Sequence, residues 1–300
     1  MKRTAVLVLL LVAILALPYS AARADDGLSL MKIEAGARAS GMGGAFVSIP
    51  GDPYSTFYNP SGAASVNKFT GSFGHTSYWE NIRLETGYFA APLTKTVSLH
   101  GGVRWANLGN IEIRTSPTTL PEQLADANDV SFKGGLAYQV DDKIYAGISV
   151  GWYLEKIEAY KGSAFNTDLG ALVKPNDAVT FGVAITNLGS SFALKKPGAT
   201  DSRMISLPTT YRVGISYRYQ KYLGAADAVI IDDKAHIHVG AEAKLHQILS
   251  VRAGYMFNYD TKNFTAGTSI YWRNLAFEYA FVPYTSNLGT SHLINLTFQL

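Results

Sequence analysis

Three histidines and a glutamate share alternate positions of the run A-H-I-H-V-G-A-E-A-K-L-H over residues 235–246: His236, His238, Glu242 and His246. Side chains two apart on an extended strand lie on one face, so paired imidazoles with a carboxylate beyond them could chelate a transition metal. Lys244 lies on the same face, and Arg212, Arg218 and Arg252 are expected beside it from neighbouring strands. Four cations repel a fifth, so the face reads as a polar network and no metal is expected. A second candidate is Gly147-Ile148-Ser149-Val150-Gly151, which matches G-x-S-x-G. That motif exposes its serine on a sharp strand-to-helix elbow. Here alternation continues through Trp152 and Leu154, so Ser149 reads as strand interior, and hydrolysis of lipid or peptide esters is the weaker alternative. There is no Walker A, EF-hand or complete G-x-G-x-x-G, and no cysteine for thiol or disulfide chemistry. The expectation is a non-enzymatic protein without a cofactor.

The elements that position these residues are strands. In residues 235–245 every odd position is apolar, and every even one is polar, charged or Gly. The pattern recurs at 69–78, 82–92, 96–108, 130–140, 144–154, 165–173, 179–186, 210–219, 251–259, 264–272, 275–281 and 292–300. Most of these segments have the roughly 9–11 residues that a tilted membrane strand needs. In 96–108 the outward set is Val97, Leu99, Gly101, Val103 and Trp105, opposite Ser98, His100, Gly102 and Arg104. In 251–259, Val251, Ala253, Tyr255, Phe257 and Tyr259 oppose Arg252, Gly254 and Asn258. A soluble sandwich would bury the same apolar set, and loop lengths break the tie. Tight turns at Asp141-Asp142, Pro175-Asn176, His246-Gln247 and Arg273-Asn274 sit among long connections near 109–128, 188–207 and 220–234, as in membrane barrels. The thirteen segments violate the even count of single-chain bacterial barrels. A further strand at 191–196 repairs the parity, giving about 14 strands with both termini periplasmic and 235–245 running inward to its tight turn. Twelve remains the alternative count.

Lys2 and Arg3, an apolar run over 5–17 and Ala22-Arg23-Ala24 make residues 1–24 an expected signal peptide for export. The run is too short for a membrane helix of about 20 residues. Its removal takes Lys2, Arg3 and Arg23 and no acid, leaving 23 of the 26 basic side chains against 23 acidic ones. The mature charge is then zero, and no nucleic-acid partner is implied. The expected polar face draws on both signs: Arg83, Glu85, Arg104, Lys133, Asp168, Arg212, Arg218, Glu242, Lys244, Arg252 and Glu278. A one-ion pore would show one dominant sign, so a filled lumen is the better reading.

Residues 25–66 do not alternate. They contain G-A-R-A-S-G-M-G-G-A-F-V, then Asp52, then Y-N-P-S-G-A. This order resembles the N-terminal signature of FadL-like long-chain fatty-acid transporters, and within that superfamily the PorV/PorQ family. The resemblance implies a hatch formed by 25–66 inside a barrel formed by 67–300, shaped by Gly43, Gly44, Asp52, Asn59 and Pro60. It implies binding or passive passage of small hydrophobic molecules in a Gram-negative outer membrane. PorV-type relatives instead serve type IX secretion, so secreted cargo proteins are the alternative partners. Outer-membrane lipid and, during biogenesis, the barrel assembly machinery are implied in either case. The last residues I-N-L-T-F-Q-L resemble the C-terminal strand that this machinery selects, with Leu300 in place of the usual aromatic.

Overall fold

The computed structural model describes residues 30–78, 82–117, 119–198, 202–285 and 288–300. The expected signal peptide lies outside them. A closed antiparallel barrel of fourteen strands surrounds the N-terminal segment. In order its strands are β1 (Thr70–Ser77), β2 (Arg83–Pro92), β3 (Val97–Ile113), β4 (Gln123–Gln139), β5 (Ile144–Ile157), β6 (Tyr160–Val173) and β7 (Val179–Gly189). After a small separate hairpin, β8 (Phe192–Leu194) with β9 (Arg203–Ile205), come β10 (Thr210–Tyr219), β11 (Tyr222–Ile231), β12 (Lys234–His246) and β13 (Leu249–Phe257). The circle ends with β14 (Phe264–Trp272), β15 (Leu275–Pro283) and β16 (Thr290–Gln299), which pairs with β1.

The fourteenth strand is not the one expected. Residues 191–196 contribute only β8, outside the barrel wall, and the missing strand is β11, inside the supposed loop 220–234. Of its inward residues Leu223, Ala225, Asp227 and Val229 all but Asp227 are apolar, and Leu223 and Ala225 pack on the N-terminal segment, so both faces are largely apolar and the period-two signal disappears. Two-residue turns bound it at Gln220-Lys221 and Asp232-Asp233. Asp232 and Asp233 both have positive φ (50° and 63°), the geometry that joins twisted strands most tightly. The supposed loop 109–128 is likewise mostly strand, because β3 and β4 extend to Ile113 and from Gln123.

All the connections at one end of the barrel, where β2, β4, β6, β10, β12, β14 and β16 finish, are short, and β12 runs towards this end. The longer connections are all at the other end, which also has two tight turns, β5–β6 and β11–β12. Outward side chains between the two ends are apolar apart from a few such as Thr167 and Thr268; Val150 and Phe165, for example, are 63% and 76% exposed. Among the described residues, outward charges begin only near the ends, at Glu85 and Lys156 on one side and Lys221 and Arg273 on the other. A Lys or Arg at mid-belt would cost about 2–4 kcal/mol, so the distribution is that of a wall immersed in lipid. No helix among the described residues is long and apolar enough to cross a membrane. Arg83 and Glu85, expected in the lumen, point outward instead, because the inward positions of β2 are Leu84, Thr86, Tyr88 and Ala90.

Residues 30–66 occupy the lumen as irregular backbone with two single-turn helices, α1 (Ala37–Gly41) and α2 (Ser55–Tyr58), and 3₁₀ turns at Leu30–Lys32 and Pro60–Ser65. They rest on a belt of inward glycines that face each other across strand pairs: Gly147 with Gly170, Gly182 with Gly214, and Gly240 with Gly254. A Cβ at Gly147 would overlap the backbone of Pro60 and Ser61, at Gly182 that of Val47, and at Gly254 that of Met42 and Gly43. The wall can therefore carry the segment only where it lacks side chains. Gly254→Val should unseat Met42-Gly43 at a cost of about 3 kcal/mol. Limited proteolysis should then cleave the N-terminal segment in an otherwise heat-resistant barrel; protection equal to wild type would contradict the seating.

Candidate functional site

Irregular backbone inside a barrel needs partners for its polar groups, and wall side chains supply them. Asn295 Oδ1 accepts from Ala37 N at 2.8 Å, and Thr265 Oγ1 accepts from Gly43 N at 2.9 Å. Asp227 Oδ2 accepts from both Phe46 N and Val47 N, at 2.7 and 2.9 Å. Ser216 Oγ donates to Ser48 O at 3.1 Å. Gly43 and Gly44 both have positive φ (66° and 72°), which turns the chain from α1 towards these contacts. Asn59 caps the 3₁₀ turn through Ser61 and donates from Nδ2 to Val47 O at 2.9 Å and Ala171 O at 3.1 Å, while Pro60 packs on Gly147 and Gly170. Asp52 holds its own loop by accepting from Tyr54 N at 2.9 Å. Gly43, Gly44, Asn59 and Pro60 thus lie against the wall, whereas Asp52 hydrogen-bonds only within its own segment.

The strongest link between segment and wall is a chain of charges. Arg38, on α1, donates from Nε and Nη2 to the two oxygens of Glu242 at 2.8 and 2.9 Å, and from Nη1 to Asp52 at 3.3 Å. Glu242 also accepts from Arg252 Nε at 2.6 Å, and Arg252 approaches Glu278 at 3.9 Å. Two side chains here escape sequence reasoning: Arg38, hidden in a non-periodic stretch, and Asp227, on the missed strand. The second left a signal, being the only charge in Y-L-G-A-A-D-A-V-I-I.

The expected polar network divides into separate groups. His238 Nε2 hydrogen-bonds the Tyr259 hydroxyl at 2.9 Å, and the His236 ring stacks on Tyr259 at 3.8 Å. Tyr259 was expected on the lipid face. It turns inward because Asn258, at φ 66°, breaks the alternation after β13, and Asn258 itself is exposed rather than lumenal. Glu242 belongs to the arginines and not to these histidines, and among the described residues no group of three or more His, Cys, Asp or Glu gathers around the imidazoles. Arg104 lies over Phe57 at 4.5 Å and donates to Ile33 O at 2.6 Å, while Arg212 lies over Tyr58 at 5.2 Å. Arg218 and Lys244 are exposed at the short-turn rim and do not join the network. His246 leaves the shared face because the β12–β13 register shifts after Lys244. Lys133 and Asp168 form a buried pair at 2.7 Å that also binds Asn187, where β7 bulges. Ser149 lies within β5, with no elbow around it.

At the long-loop end an apolar cluster sits above the hatch. Leu30 and Met31 pack with Leu84 and Tyr153 of the wall and with Phe192 and Leu207 of the connection that folds over the mouth. Beside it Lys262 binds Glu34 at 2.6 Å. Burial works to raise the Glu34 carboxyl, but the adjacent ammonium outweighs it and holds the group below its ordinary value. On the outer face Gly87 leaves a shallow groove of about 550 Å³ walled by Phe73, Val103, Trp105, Ile294 and Leu296.

No family model matches the sequence, and no curated protein matches it. Solved structures do. The chain is similar to the Ralstonia pickettii toluene transporter TbuX, at 14% identity and TM-score 0.66 over 90% of this chain and 98% of that one. It is similar to the P. putida toluene transporter TodX, at 11% identity and TM-score 0.68 over 89% and 98%. A Pseudomonas aeruginosa FadL homologue aligns at 12% identity and TM-score 0.57 over 87% and 97%. At such identities the likeness establishes the shared fold.

Two outcomes test the site. Arg38→Met leaves Asp52 and Glu242 without their common cation, a loss of about 3–5 kcal/mol for a broken buried pair. Planar-bilayer recordings should show raised and noisier conductance, and wild-type conductance would count against the charge chain as the hatch's lock. The Glu34–Lys262 contribution is complete above the ordinary carboxylate pKa of about 4.3 and fades as pH falls through the lowered value. Hydrogen exchange around residues 33–35 should accelerate in acid, and Glu34→Gln should abolish that step.

Proposed function

We propose that this barrel lies in the outer membrane of a Gram-negative bacterium, short turns and both termini facing the periplasm, and binds or passively passes small hydrophobic molecules. The observation that carries the reading is the apolar mouth cluster of Leu30, Met31, Tyr153, Phe192 and Leu207 above a hatch locked by charges. The cluster is buried, so a hydrophobic molecule reaches it by displacing Phe192 and Leu207, whereas a hydrated ion meets a filled lumen. Each methylene that moves into such surroundings gains about 0.8 kcal/mol, so capture needs no specific polar contact. Release into the bilayer would follow the wall, whose outer groove beside Gly87 is apolar. The toluene transporters TbuX and TodX, which share the fold, support this substrate class. The PorV/PorQ branch rests on the N-terminal motif alone, and a secretion role has no further support here.

Proteoliposomes holding the intact chain should take up toluene faster than empty vesicles, without admitting a small sugar. The Phe192→Asp, Leu207→Asp double variant should slow uptake roughly tenfold, the equivalent of about 1.4 kcal/mol. Uptake no faster than in empty vesicles would sink the proposal. Loss of protein export in a deletion strain with normal uptake would favour the secretion role instead.

A further inference from the structure

Carboxylates hold several cations at the long-loop end, whereas one arc of the short-turn end holds its cations over aromatic rings. At the long-loop end Lys32 pairs with Asp232, Lys262 with Glu34 and Arg114 with Glu112. At the short-turn end the three connections β10–β11, β12–β13 and β14–β15 have Lys221, Lys244 (at the end of β12) and Arg273 at or beside them, and none of the three makes an ion pair with a described residue. Each instead lies over an aromatic ring: Lys221 over Tyr222 at 5.4 Å, Lys244 over Tyr271 at 5.6 Å, and Arg273 over Trp272 at 5.3 Å.

At the short-turn end the imbalance centres on this arc, where Arg218 adds a further cation, while exposed Lys68 ahead of β1 also lies in a segment without acids. The sequences of the three turns, Y-R-Y-Q-K-Y, A-K-L-H-Q-I-L and I-Y-W-R-N-L, contain no acid. On the opposite arc Lys95, Lys143 and Lys174 are matched in number by Asp141, Asp142 and Asp177. The inward carboxylates of β12 and β15, Glu242 and Glu278, are buried and engaged by Arg38 and Arg252. The terminal carboxylate of Leu300 is at the same end and forms no ion pair with Arg273.

What lies beside the arc identifies its partner. Tyr222, Leu245, Ile248, Ile270 and Trp272 are exposed, by 49–59%, and continue the apolar belt of the outer wall up to the cations. A partner must therefore present anionic groups at the edge of a hydrocarbon layer. We infer that this arc anchors anionic phospholipid in the leaflet at the short-turn end, with headgroup phosphates on Lys221 and Arg273 and acyl chains along the exposed residues beside them. Aromatic rings at the interface hold the cations at headgroup height, where an ammonium or guanidinium meets phosphate. Lys244, on the lumenal side, adds to the local potential. This inference does not depend on what the barrel transports.

The test uses the full chain in phosphatidylcholine nanodiscs doped with phosphatidylglycerol, with native mass spectrometry of the lipids retained on extraction. Phosphatidylglycerol should be enriched over its bulk fraction by roughly fivefold for each participating cation, the equivalent of about 1 kcal/mol per basic residue near the surface. Lys221→Gln with Arg273→Gln should abolish most of the enrichment, while Lys95→Gln with Lys143→Gln should leave it intact. No enrichment in wild type, or equal loss from both double variants, would overturn the inference. Should either variant fail to fold, added salt must reduce the wild-type enrichment, since exposed charges are screened; salt-independent retention would also overturn it. Binding of poly-glutamate to phosphatidylcholine nanodiscs without any phosphatidylglycerol enrichment would reassign the arc to an acidic protein.

Discussion

An irregular backbone enclosed by a membrane wall cannot hydrogen-bond to bulk water, and the remaining architecture answers that constraint. The answer has two parts that need each other. Facing glycines in neighbouring strands let the N-terminal segment approach to backbone contact, and at that distance Asn295, Thr265, Asp227 and Ser216 reach its amides and carbonyls. Ordinary side chains at Gly182 or Gly254 would hold the segment off and leave those polar groups unsatisfied, at roughly 1–3 kcal/mol each. Strands β5, β6, β7, β10, β11, β12, β13, β14 and β16 of the wall all contribute to the seat through glycines or polar partners.

Stacked layers follow from this seating. The charge chain from Asp52 through Arg38, Glu242 and Arg252 to Glu278 crosses from hatch to wall, and desolvation makes it tolerable only because each carboxylate keeps a cation or hydroxyl partner. Above it, towards the long loops, the lumen becomes apolar at Leu30, Met31 and Phe192. The lumen thus stacks a polar, charge-paired layer beneath a buried apolar one.

Much of the barrel is legible from sequence because its physics is periodic. Wherever one strand face meets lipid and the other meets polar lumen, the inward and outward sets of β3, β5 and β12 follow from parity alone. Parity fails where the lumen is itself apolar, as behind β11, and where a residue with positive φ resets it, as at Asn258 before Tyr259. It also overreaches at the rims: Arg218 and Lys244 occupy inward positions too close to the strand ends to join the lumen. The candidate site is less legible. Gly43, Gly44, Asp52, Asn59 and Pro60 stand out as turn formers, but the partners that give them meaning are distant in sequence, Thr265 lying 222 residues from Gly43. Arg38 has no local signature at all.

The in-register pairs Gly147–Gly170, Gly182–Gly214 and Gly240–Gly254 bear on how the chain assembles. Because strand side chains alternate, a slip of one residue would turn a glycine to lipid and aim a bulky neighbour such as Phe181, Val213 or Tyr255 at the hatch. A mispaired barrel would have no berth for its own N-terminus. Since residues 30–66 precede every strand in the chain, they are available while the wall closes around them. The plug thereby doubles as a gauge, fitting only a wall whose strands have met in the correct register.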